Sequence, residues 1–312
     1  MDVVSLGECM VEMFCDGRIK DANLFTKAYG GDTLNTIVAA RRLGSEAGFI
    51  TKVGIDPFAE FLLSNWRAEG IDLSQTKLVP GFNGIYFISL LLSGEREFTY
   101  YRPGSAASTL SPEDLDHDYI AGAKVLHTSG ITQAIATTAR DAALAAFKIA
   151  KKAGVLTSFD PNLRLKLTTL ELARENLNEI LQYTDIFLPS SPDETAPLFP
   201  EMDHVQIIDF VVSKGVKHVA IKCGADGCVV SSGGQIHRLS PEFDVKVVDA
   251  TGAGDAFNGG FIHGIVRGMS ARDAARIGMA LASLKMEGRG AILSLPTREQ
   301  VVAALNDDEL VF

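Results

Sequence analysis

The sequence predicts an α/β protein, in which helices cover both faces of a mostly parallel central sheet. From residue 124 onward, short apolar runs alternate with longer amphipathic ones: residues 125–129 predict a strand, 137–153 a helix and 155–159 a second strand. This alternation is typical of parallel sheets whose strands are joined by crossover helices. The apolar run at 3–6, which ends at Gly7, is a normal opening strand for such a sheet.

A glycine pair that ends at Gly31 precedes a helical pattern at residues 36–43, and Gly44 is placed to end that helix. Turn geometry alone would explain the two glycines. Asp32 and Asn35, however, fall where a first helical turn would project them toward whatever lies above it. They are therefore candidate ligand-binding residues.

Residues 49–70 continue the pattern with a strand at 49–53 and an amphipathic helix at 57–69. Gly70 is placed to stop this helix. The sole tryptophan, Trp66, lies within it and is most simply a core residue.

Two alternating aromatic and β-branched runs, 84–92 and 95–102, flank a serine–glycine pair and predict a β-hairpin. Because side chains two residues apart share a face of a strand, Tyr100 and Arg102 point the same way, and Tyr86 lies within reach on the opposing strand. Arg102 has two interpretations. It is either a surface residue whose aliphatic stem covers apolar area, or a fork that holds a carboxylate or a hydroxyl group.

Ligands of parallel α/β folds lie beyond the carboxyl ends of the strands. At such an end, after the strand at 155–159, the chain reads Asp160-Pro161-Asn162-Leu163-Arg164. Arg164 is either a surface residue or a cation positioned to bind a phosphate or a carboxylate.

Two further strand ends follow in the sequence. The strand at 184–189 leads into a polar segment that ends at Glu194, and the strand at 218–222 leads into a turn with Gly224 and Gly227. A hairpin turn alone explains these two glycines.

The stretch 247–261 reads V-V-D-A-T-G-A-G-D-A-F-N-G-G-F and predicts a strand end, a glycine-broken turn and a helix. Gly252 and Gly254 allow a tight turn and the close approach of a ligand. The free N–H groups at the helix start would form a seat for an anion, with Asp255 directly beside it. An anion seat next to a proton acceptor is what phosphoryl transfer to an alcohol requires.

This stretch has three other interpretations. Asp255 is also explained as a helix N-cap without any catalysis. A Walker loop is excluded because Gly254 is followed by Asp-Ala instead of Lys-Ser or Lys-Thr. A dinucleotide fingerprint would need a third glycine where Phe257 stands, and it usually lies in the first βα unit.

Composition and charge argue against a nucleic-acid-binding or membrane protein. The chain of 312 residues is 46% hydrophobic, enough for a sizeable core, and its net charge of −10 argues against nucleic-acid or anionic-membrane partners. The N-terminus lacks a basic signal region and no apolar run is long enough to span a bilayer, so a cytoplasmic protein is expected. The four cysteines form no C-x-x-C pair and are expected to be buried thiols, not metal ligands.

The segment D-A-T-G-A-G-D-A-F at 249–257 resembles the C-terminal signature of the ribokinase (PfkB-type) sugar kinases. The N-terminal signature of that family, G-G-x-x-x-N…R-L-G, is matched by Gly30, Gly31, Asn35, Leu43 and Gly44. The resemblance spans nearly the whole chain. It implies a ribokinase-like fold with one kinase domain over 1–312 and a small β-sheet lid, inserted at about 12–29 and 80–108.

This resemblance also implies the cofactors and the roles of individual residues. ATP and Mg²⁺ are the expected cofactors, Asp255 is the expected general base, and the backbone of Gly252, Ala253 and Gly254 is expected to steady the phosphoryl group. The substrate side is expected at Gly31, Asp32, Asn35, Tyr86, Tyr100, Arg102 and Arg164. The nucleotide side is expected at Asn162, Lys222, Gly224, Gly227, Gly252 and Gly254. Glu194 is expected to contribute to magnesium through water, although Ser191 stands where the family has asparagine.

Within the family, three segments are similar to the 2-keto-3-deoxygluconate kinases: G-E-C-M-V-E at 7–12, G-G-D-T-L-N-T at 30–36 and Y-Y-R-P-G-S-A-A-S at 100–108. Fructokinases usually carry S-A-D where this chain has Ser105-Ala106-Ala107. We therefore expect phosphorylation of the terminal hydroxyl of a sugar acid, with a fructokinase as the nearest alternative. A non-catalytic sugar sensor is disfavoured by the intact Asp255, and a dinucleotide oxidoreductase by the missing fingerprint.

An exposed lid sheet would leave one face and its edges uncovered, so a homodimer that pairs two lids is expected, as is usual in the family. The sequence leaves open whether a monovalent cation is required.

Overall fold

The computed structural model describes residues 1–90, 96–241 and 245–305. The turn predicted between the two hairpin strands, at Ser93 and Gly94, lies outside these residues.

Its strands, in chain order, are β1 (Val3–Leu6), β2 (Met10–Asp16), β3 (Thr26–Gly30), β4 (Ala47–Gly54), β5 (Thr76–Val79), β6 (Ile85–Leu90), β7 (Arg96–Tyr101), β8 (Val125–Ser129), β9 (Leu156–Asp160), β10 (Ile186–Phe187), β11 (His218–Lys222), β12 (Cys228–Ser232) and β13 (Gln235–Leu239).

The helices are α1 (Asp32–Arg42), α2 (Ala59–Ala68), α3 (His117–Ala121), α4 (Gly130–Ile135), α5 (Thr137–Ala153), α6 (Leu170–Leu181), α7 (Thr195–Leu198), α8 (His204–Ser213), α9 (Ala253–Val266), α10 (Ala271–Met286) and α11 (Arg298–Leu305). Among them, none combines the length and the hydropathy that a membrane-spanning helix needs.

Within the described residues, the larger sheet has nine strands in the order β13-β12-β11-β10-β9-β8-β1-β4-β5. Every neighbouring pair from β11 to β5 is parallel, and only β12 and β13 add antiparallel pairs at one edge. The mostly parallel sheet predicted from the alternation of strands and helices is therefore confirmed.

Two hydrophobic cores cover the two faces of this sheet. One contains Leu34 of α1, Trp66 of α2 and Phe261 of α9, and the other contains Phe147 of α5 and Ile207 of α8. Helices on both faces are thus confirmed. Trp66 is 1% exposed, as expected of a core residue.

A second sheet has four strands among the described residues, in the order β3-β2-β6-β7. Strands β6 and β7 pair antiparallel with Tyr86 opposite Tyr100, so the predicted hairpin is confirmed. Alternate side chains of this sheet face in opposite directions. Tyr86 and Ile88 are buried on the inner face, whereas Tyr101 is 61% exposed on the outer face.

The strand end predicted at 247–248 is wrong. These residues lie in irregular backbone, and Val247 and Val248 are 59% and 43% exposed. Apolar residues in a short loop need no burial, because much of any protein surface is apolar. The helix at 36–43 in fact begins four residues earlier, at Asp32, and α11 had no counterpart in the sequence analysis.

Candidate active site

A cavity of about 1260 Å³ lies at the carboxyl ends of the parallel strands and is bounded on one side by the four-stranded sheet. Its walls bring together most of the residues that the sequence singled out, namely Gly31, Asp32, Asn35, Tyr86, Tyr100, Arg102, Asn162, Arg164, Glu194, Lys222, Gly252, Gly254 and Asp255. A volume of this size exceeds the usual range for one small ligand and has room for two.

One wall is the loop 249–255, which we call the anion loop, at the start of α9. Gly252 adopts a left-handed conformation with φ of 77° immediately before the helix. Two N–H groups are used locally: Ala253 bonds to the carbonyl of Ala250 at 3.1 Å, and Ala256 bonds to that of Gly252 at 2.9 Å. Among the described residues, the N–H groups of Gly252, Gly254 and Asp255 have no acceptor. Unpaired amides at a helix N-terminus form a binding site for an anion.

Asp255 is the third residue of α9 and lines the cavity beside these amides. Its Oδ2 accepts a hydrogen bond from Asn35 Nδ2 at 2.8 Å. Burial, together with the negative charge of Asp32, raises the pKa of Asp255 to about 7, although the bond from Asn35 lowers it. The N-cap interpretation of Asp255 is wrong, because Gly252 occupies the cap position.

The opposite wall is the start of α1. A Cβ on Gly31 would collide with the carbonyl oxygen of Glu8, so only glycine allows this close approach. Asp32 and Asn35 project from the first helical turn, as predicted, and Asn162 Nδ2 donates to Asp32 Oδ2 at 3.2 Å. Asp32 Oδ1 is buried with no hydrogen-bond partner among the described residues, so it remains available to a ligand hydroxyl.

Lys222, at the end of β11, takes part in a buried network. Its Nζ donates to Asp160 Oδ2 at 2.8 Å and to Asn258 Oδ1 at 3.0 Å. Burial opposes ionisation of Asp160, but the Lys222 ammonium outweighs it and lowers the Asp160 pKa. Lys222 Nζ would lie 3.6 Å from a Cβ on Gly254, so this cation also stands next to the anion loop.

Arg102 is buried, not on the surface, and its partner is a carboxylate of the chain itself. Its Nη1 forms an ion pair with Glu8 Oε1, and the two side chains are 6% and 1% exposed. The guanidinium also lies over the ring of Tyr100, 4.5 Å from its centroid, and Tyr100 stacks on Tyr86. The surface interpretation is therefore wrong. The guanidinium fork holds the carboxylate of Glu8 on one of its arms, and its predicted role toward a ligand stays a prediction.

Tyr86 lies deeper and donates its hydroxyl hydrogen to Glu12 Oε2. Burial raises the pKa of Glu12 to about 7 despite this bond. A Cβ on Gly30 would lie 2.6 Å from the Tyr86 hydroxyl oxygen, so the glycine pair also makes room for this tyrosine.

Glu194 is buried in the cavity wall, where its two oxygens accept N–H groups of Ser190 at 2.7 Å and Leu163 at 3.3 Å. Burial and the negative charge of Asp160 raise its pKa to about 8. Ser191 points elsewhere, because its hydroxyl bonds to His204 Nε2 at 2.8 Å.

A direct metal cage is absent from the part of the chain that the structure describes, since no three His, Cys, Asp or Glu side chains cluster there. Mg²⁺ commonly keeps several waters and uses only one or two carboxylates plus substrate phosphates. Asp160 and Glu194 on one cavity wall fit that looser donor set.

Three of the expected residues lie apart from the cavity walls. Gly224 and Gly227 belong to the turn that follows β11, where a Cβ on Gly227 would collide with the carbonyl of Leu239, and the side chain of Ala253 does not line the cavity. Arg164 lines the mouth of the cavity and is exposed.

Several functional candidates were missed by the sequence analysis. Glu8 lies two residues beyond the end of β1, and Asp160 ends β9, so their places at strand ends were available signals. Asn258 is three residues after Asp255 in α9 and therefore lies on the same face of the helix. Asp249, which starts the anion loop, forms an ion pair with Arg96 of β7 at 3.1 Å.

Comparison with known proteins assigns this architecture. The profile of the pfkB family carbohydrate kinases matches residues 1–298. The 2-dehydro-3-deoxygluconokinase of Bacillus subtilis (strain 168) is 32% identical over 316 residues, which cover 100% of this chain and 97% of the relative. Fructokinase-1 of Zea mays is 34% identical over 316 residues, which cover 96% of each chain.

The fold is shared with solved kinases. A crystal structure in complex with ATP and Mg²⁺, of an E. coli protein that carries the provisional name Ribokinase II, superposes with a TM-score of 0.91. The two chains are 26% identical, and the match covers 98% of this chain and 99% of that one. The ribokinase-like fold expected from the two signature motifs is confirmed. The chain therefore belongs to the pfkB family of carbohydrate kinases and is a phosphotransferase.

Proposed function

We propose that this kinase transfers the terminal phosphoryl group of ATP to the terminal hydroxyl of 2-keto-3-deoxygluconate, also called 2-dehydro-3-deoxygluconate. One observation carries the proposal: the Asp255 carboxylate and the unpaired amides of the anion loop share one wall of a cavity large enough for two ligands. A proton acceptor beside an anion seat is the arrangement that transfer to an alcohol needs.

In this mechanism Asp255 accepts the proton of the attacking hydroxyl. Its pKa of about 7 leaves a substantial fraction ionised at neutral pH, and it gives enough basicity to share the proton in the transition state. The amides of Gly252 and Gly254 donate to the phosphoryl oxygens as negative charge develops on them, and the dipole of α9 acts in the same direction. Asn35 keeps the carboxylate pointed at the cavity.

On the nucleotide side, Asp160 and Glu194 would hold water molecules around magnesium, and Asn162 and Lys222 line the same wall. Bound with ATP, Mg²⁺ supplies positive charge that offsets the charge of the phosphate oxygens. Gly224 and Gly227 form the turn after β11, and we propose that this turn borders the nucleotide.

On the sugar side, Asp32 and Asn35 are proposed to bind hydroxyl groups, with Gly31 allowing close approach of the backbone. The carboxylate of a sugar acid needs a cation. Arg164 is the better candidate, because its guanidinium is exposed at the cavity mouth, whereas Glu8 already neutralises Arg102. Tyr86 and Tyr100 complete this side of the cavity.

A fructokinase is the second candidate. It is favoured by the 34% identity to the maize fructokinase, which is close to the identity with the sugar-acid kinase. The two functions differ in whether the substrate carries a carboxylate, so the exposed Arg164 is the residue that separates them.

A coupled assay of ADP release across 2-keto-3-deoxygluconate, its galactonate epimer, fructose and ribose tests the proposal. We expect the highest kcat/KM with a sugar acid, and a selective loss with sugar acids in Arg164→Met. Arg272→Met, on the distant helix α10, is a matched control for loss of an arginine. A preference for fructose that Arg164→Met leaves unchanged would establish the second candidate instead.

We further propose that β2, β3, β6 and β7 form a lid, within one domain that spans the chain, and that two lids pair in a homodimer. The outer face carries Ile85, Phe87 and Tyr101 around a groove that Arg18, Lys20 and Glu97 also line, and its apolar part is suited to burial. Light scattering with size-exclusion chromatography tests the dimer. Tyr101→Asp should shift the protein to monomers, and an unchanged molar mass for this variant would contradict a lid-paired dimer.

A further inference from the structure

Lys285 is a buried lysine that the proposed mechanism does not use. It lies in the last turn of α10, and its side chain is 0% exposed. Lysine is almost never fully buried unless it is paired. Among the described residues, its hydrogen bond goes to a main-chain carbonyl, not to a carboxylate: Nζ donates to the carbonyl oxygen of Asp249 at 2.7 Å.

That carbonyl belongs to the first residue of the anion loop. The Asp249 carboxylate accepts the N–H of Thr251 and the N–H of Gly290, each at 2.9 Å. Its own N–H bonds to the carbonyl of Met286 at 3.0 Å, next to Lys285 in sequence. Lys285 therefore completes a set of contacts that fix both the main chain and the side chain of Asp249. Residues 249–252, at the start of the loop, have no regular secondary structure to hold them.

The charge on Lys285 is retained despite burial. Burial lowers its pKa to about 8, against the opposing effect of the Asp249 and Glu12 carboxylates, which raise it. At neutral pH the group is therefore mostly an ammonium ion, held below the loop whose amides face the cavity. A fixed charge in a water-poor interior acts more strongly than the same charge in water.

We propose that Lys285 is a positioning residue that serves as a built-in monovalent cation. The Lys285 ammonium donates to a main-chain carbonyl of the anion loop and is attracted by the carboxylates of Asp249 and Glu12, so a single positive charge is fixed beside the loop. Because the lysine supplies this charge through a covalent tether, the kinase needs no added monovalent cation. The inference rests on the proposed phosphoryl transfer at the anion loop.

The first test uses the unmodified enzyme with whichever sugar it accepts. Its kcat is measured in potassium, sodium and tetramethylammonium salts at one ionic strength, with Mg²⁺ and ATP fixed. We expect the same kcat in all three salts. Clear stimulation by potassium over tetramethylammonium would overturn the inference, and this outcome does not depend on any variant folding.

The second test removes the ammonium. Lys285→Ala leaves a space beside the Asp249 carbonyl, and Lys285→Met fills most of that space without charge. Loop misplacement of about 1 Å costs about 10²-fold in rate, so both variants should lose kcat on that scale. Added ammonium or potassium ions should restore most of the lost kcat in Lys285→Ala and little in Lys285→Met.

Leu281→Ala is the matched control, because Leu281 is fully buried one turn earlier in α10. It should lower the melting temperature, and added cations should not raise its kcat. If Lys285→Met keeps wild-type kcat, or if ammonium fails to act selectively on Lys285→Ala, the lysine is only a core residue. If the proposed function is wrong, the unmodified enzyme will show no sugar-dependent turnover, which is a different result from those above. That result would also remove the basis of the inference about Lys285.

Discussion

Asn35 Nδ2 donates to Asp255 Oδ2 at 2.8 Å, a contact between residues that are 220 positions apart in the chain. It joins the first turn of α1 to the first turn of α9, so the two signature motifs meet at one carboxylate. Asn35 Oδ1 in turn accepts the N–H of Gly31 at 3.3 Å, which fixes the amide orientation. The Asp255 carboxylate is thus held from the side of the cavity that α1 forms.

Loss of the carboxylate should abolish most of the catalysis. Asp255→Asn keeps the shape of the side chain but cannot accept the hydroxyl proton, so we expect kcat to fall by about 10²–10⁴-fold. Calorimetric ATP affinity should stay within a few-fold of wild type, because the amides remain. Asp209→Asn, an exposed substitution on α8, is the control. Near-normal turnover by Asp255→Asn would remove Asp255 from the mechanism.

Loss of the Asn35 amide should change the pH dependence of the reaction. The bond from Asn35 lowers the pKa of Asp255, so Asn35→Ala should raise that pKa above its value of about 7. The acid limb of the profile of kcat/KM should therefore move to higher pH. Asn65→Ala removes an amide from the distant helix α2 and should leave the limb in place. An acid limb that does not move in Asn35→Ala would show that the profile reports another group.

The Glu8–Arg102 pair makes a prediction about stability. Arg102→Ala leaves the Glu8 carboxylate buried without its partner, which should lower the free energy of unfolding by about 3–5 kcal/mol. The double variant Glu8→Gln with Arg102→Met removes both charges and should lose clearly less. Urea unfolding of the single and double variants measures the difference. Equal losses in both would mean that volume, not the unpaired charge, determines the cost.

Asp255 should also make the protein less stable as pH rises. The pKa of Asp255 is about 7 in the folded chain, against an ordinary value of 3.8 that applies to the unfolded chain. The folded state therefore binds the carboxyl proton more tightly than the unfolded state does. The resulting stabilisation is fully present below the unfolded pKa and is lost as pH rises through about 7. Urea unfolding at several pH values should therefore show a smaller loss with rising pH in Asp255→Asn than in wild type. The buried carboxyls of Glu12 and Glu194 remain in both proteins, so parallel curves would contradict the raised pKa of Asp255.

Local signals predicted much of this molecule. The glycine turn before α9 and the polar first turn of α1 were read correctly, because left-handed backbone and helix starts depend on a few neighbouring residues. The hairpin face shared by Tyr86, Tyr100 and Arg102 follows from the two-residue period of a strand.

Partners that are distant in sequence could not be predicted in the same way. Glu8 and Arg102 are 94 residues apart, and no periodicity indicates that they pair. The sequence left Arg102 either on the surface or as a fork for a ligand carboxylate or hydroxyl, because nothing in it indicated a carboxylate inside the chain. The buried Lys285 was missed for a related reason: lysine in an amphipathic helix ordinarily indicates an exposed face.

The ion pair between Arg96 of β7 and Asp249 couples movement of the four-stranded sheet to the anion loop. Arg96 also donates to the carbonyl of Val248, so two bonds tie the four-stranded sheet to the start of the anion loop. If the four-stranded sheet lifts to admit a sugar, these two bonds must break. The anion loop would then lose two of its contacts at the moment when the sugar side of the cavity opens. We expect Arg96→Met to uncouple the two and to raise ATP hydrolysis in the absence of sugar, relative to sugar phosphorylation. If Arg96→Met leaves the ratio of ATP hydrolysis to sugar phosphorylation unchanged, the four-stranded sheet and the anion loop move independently.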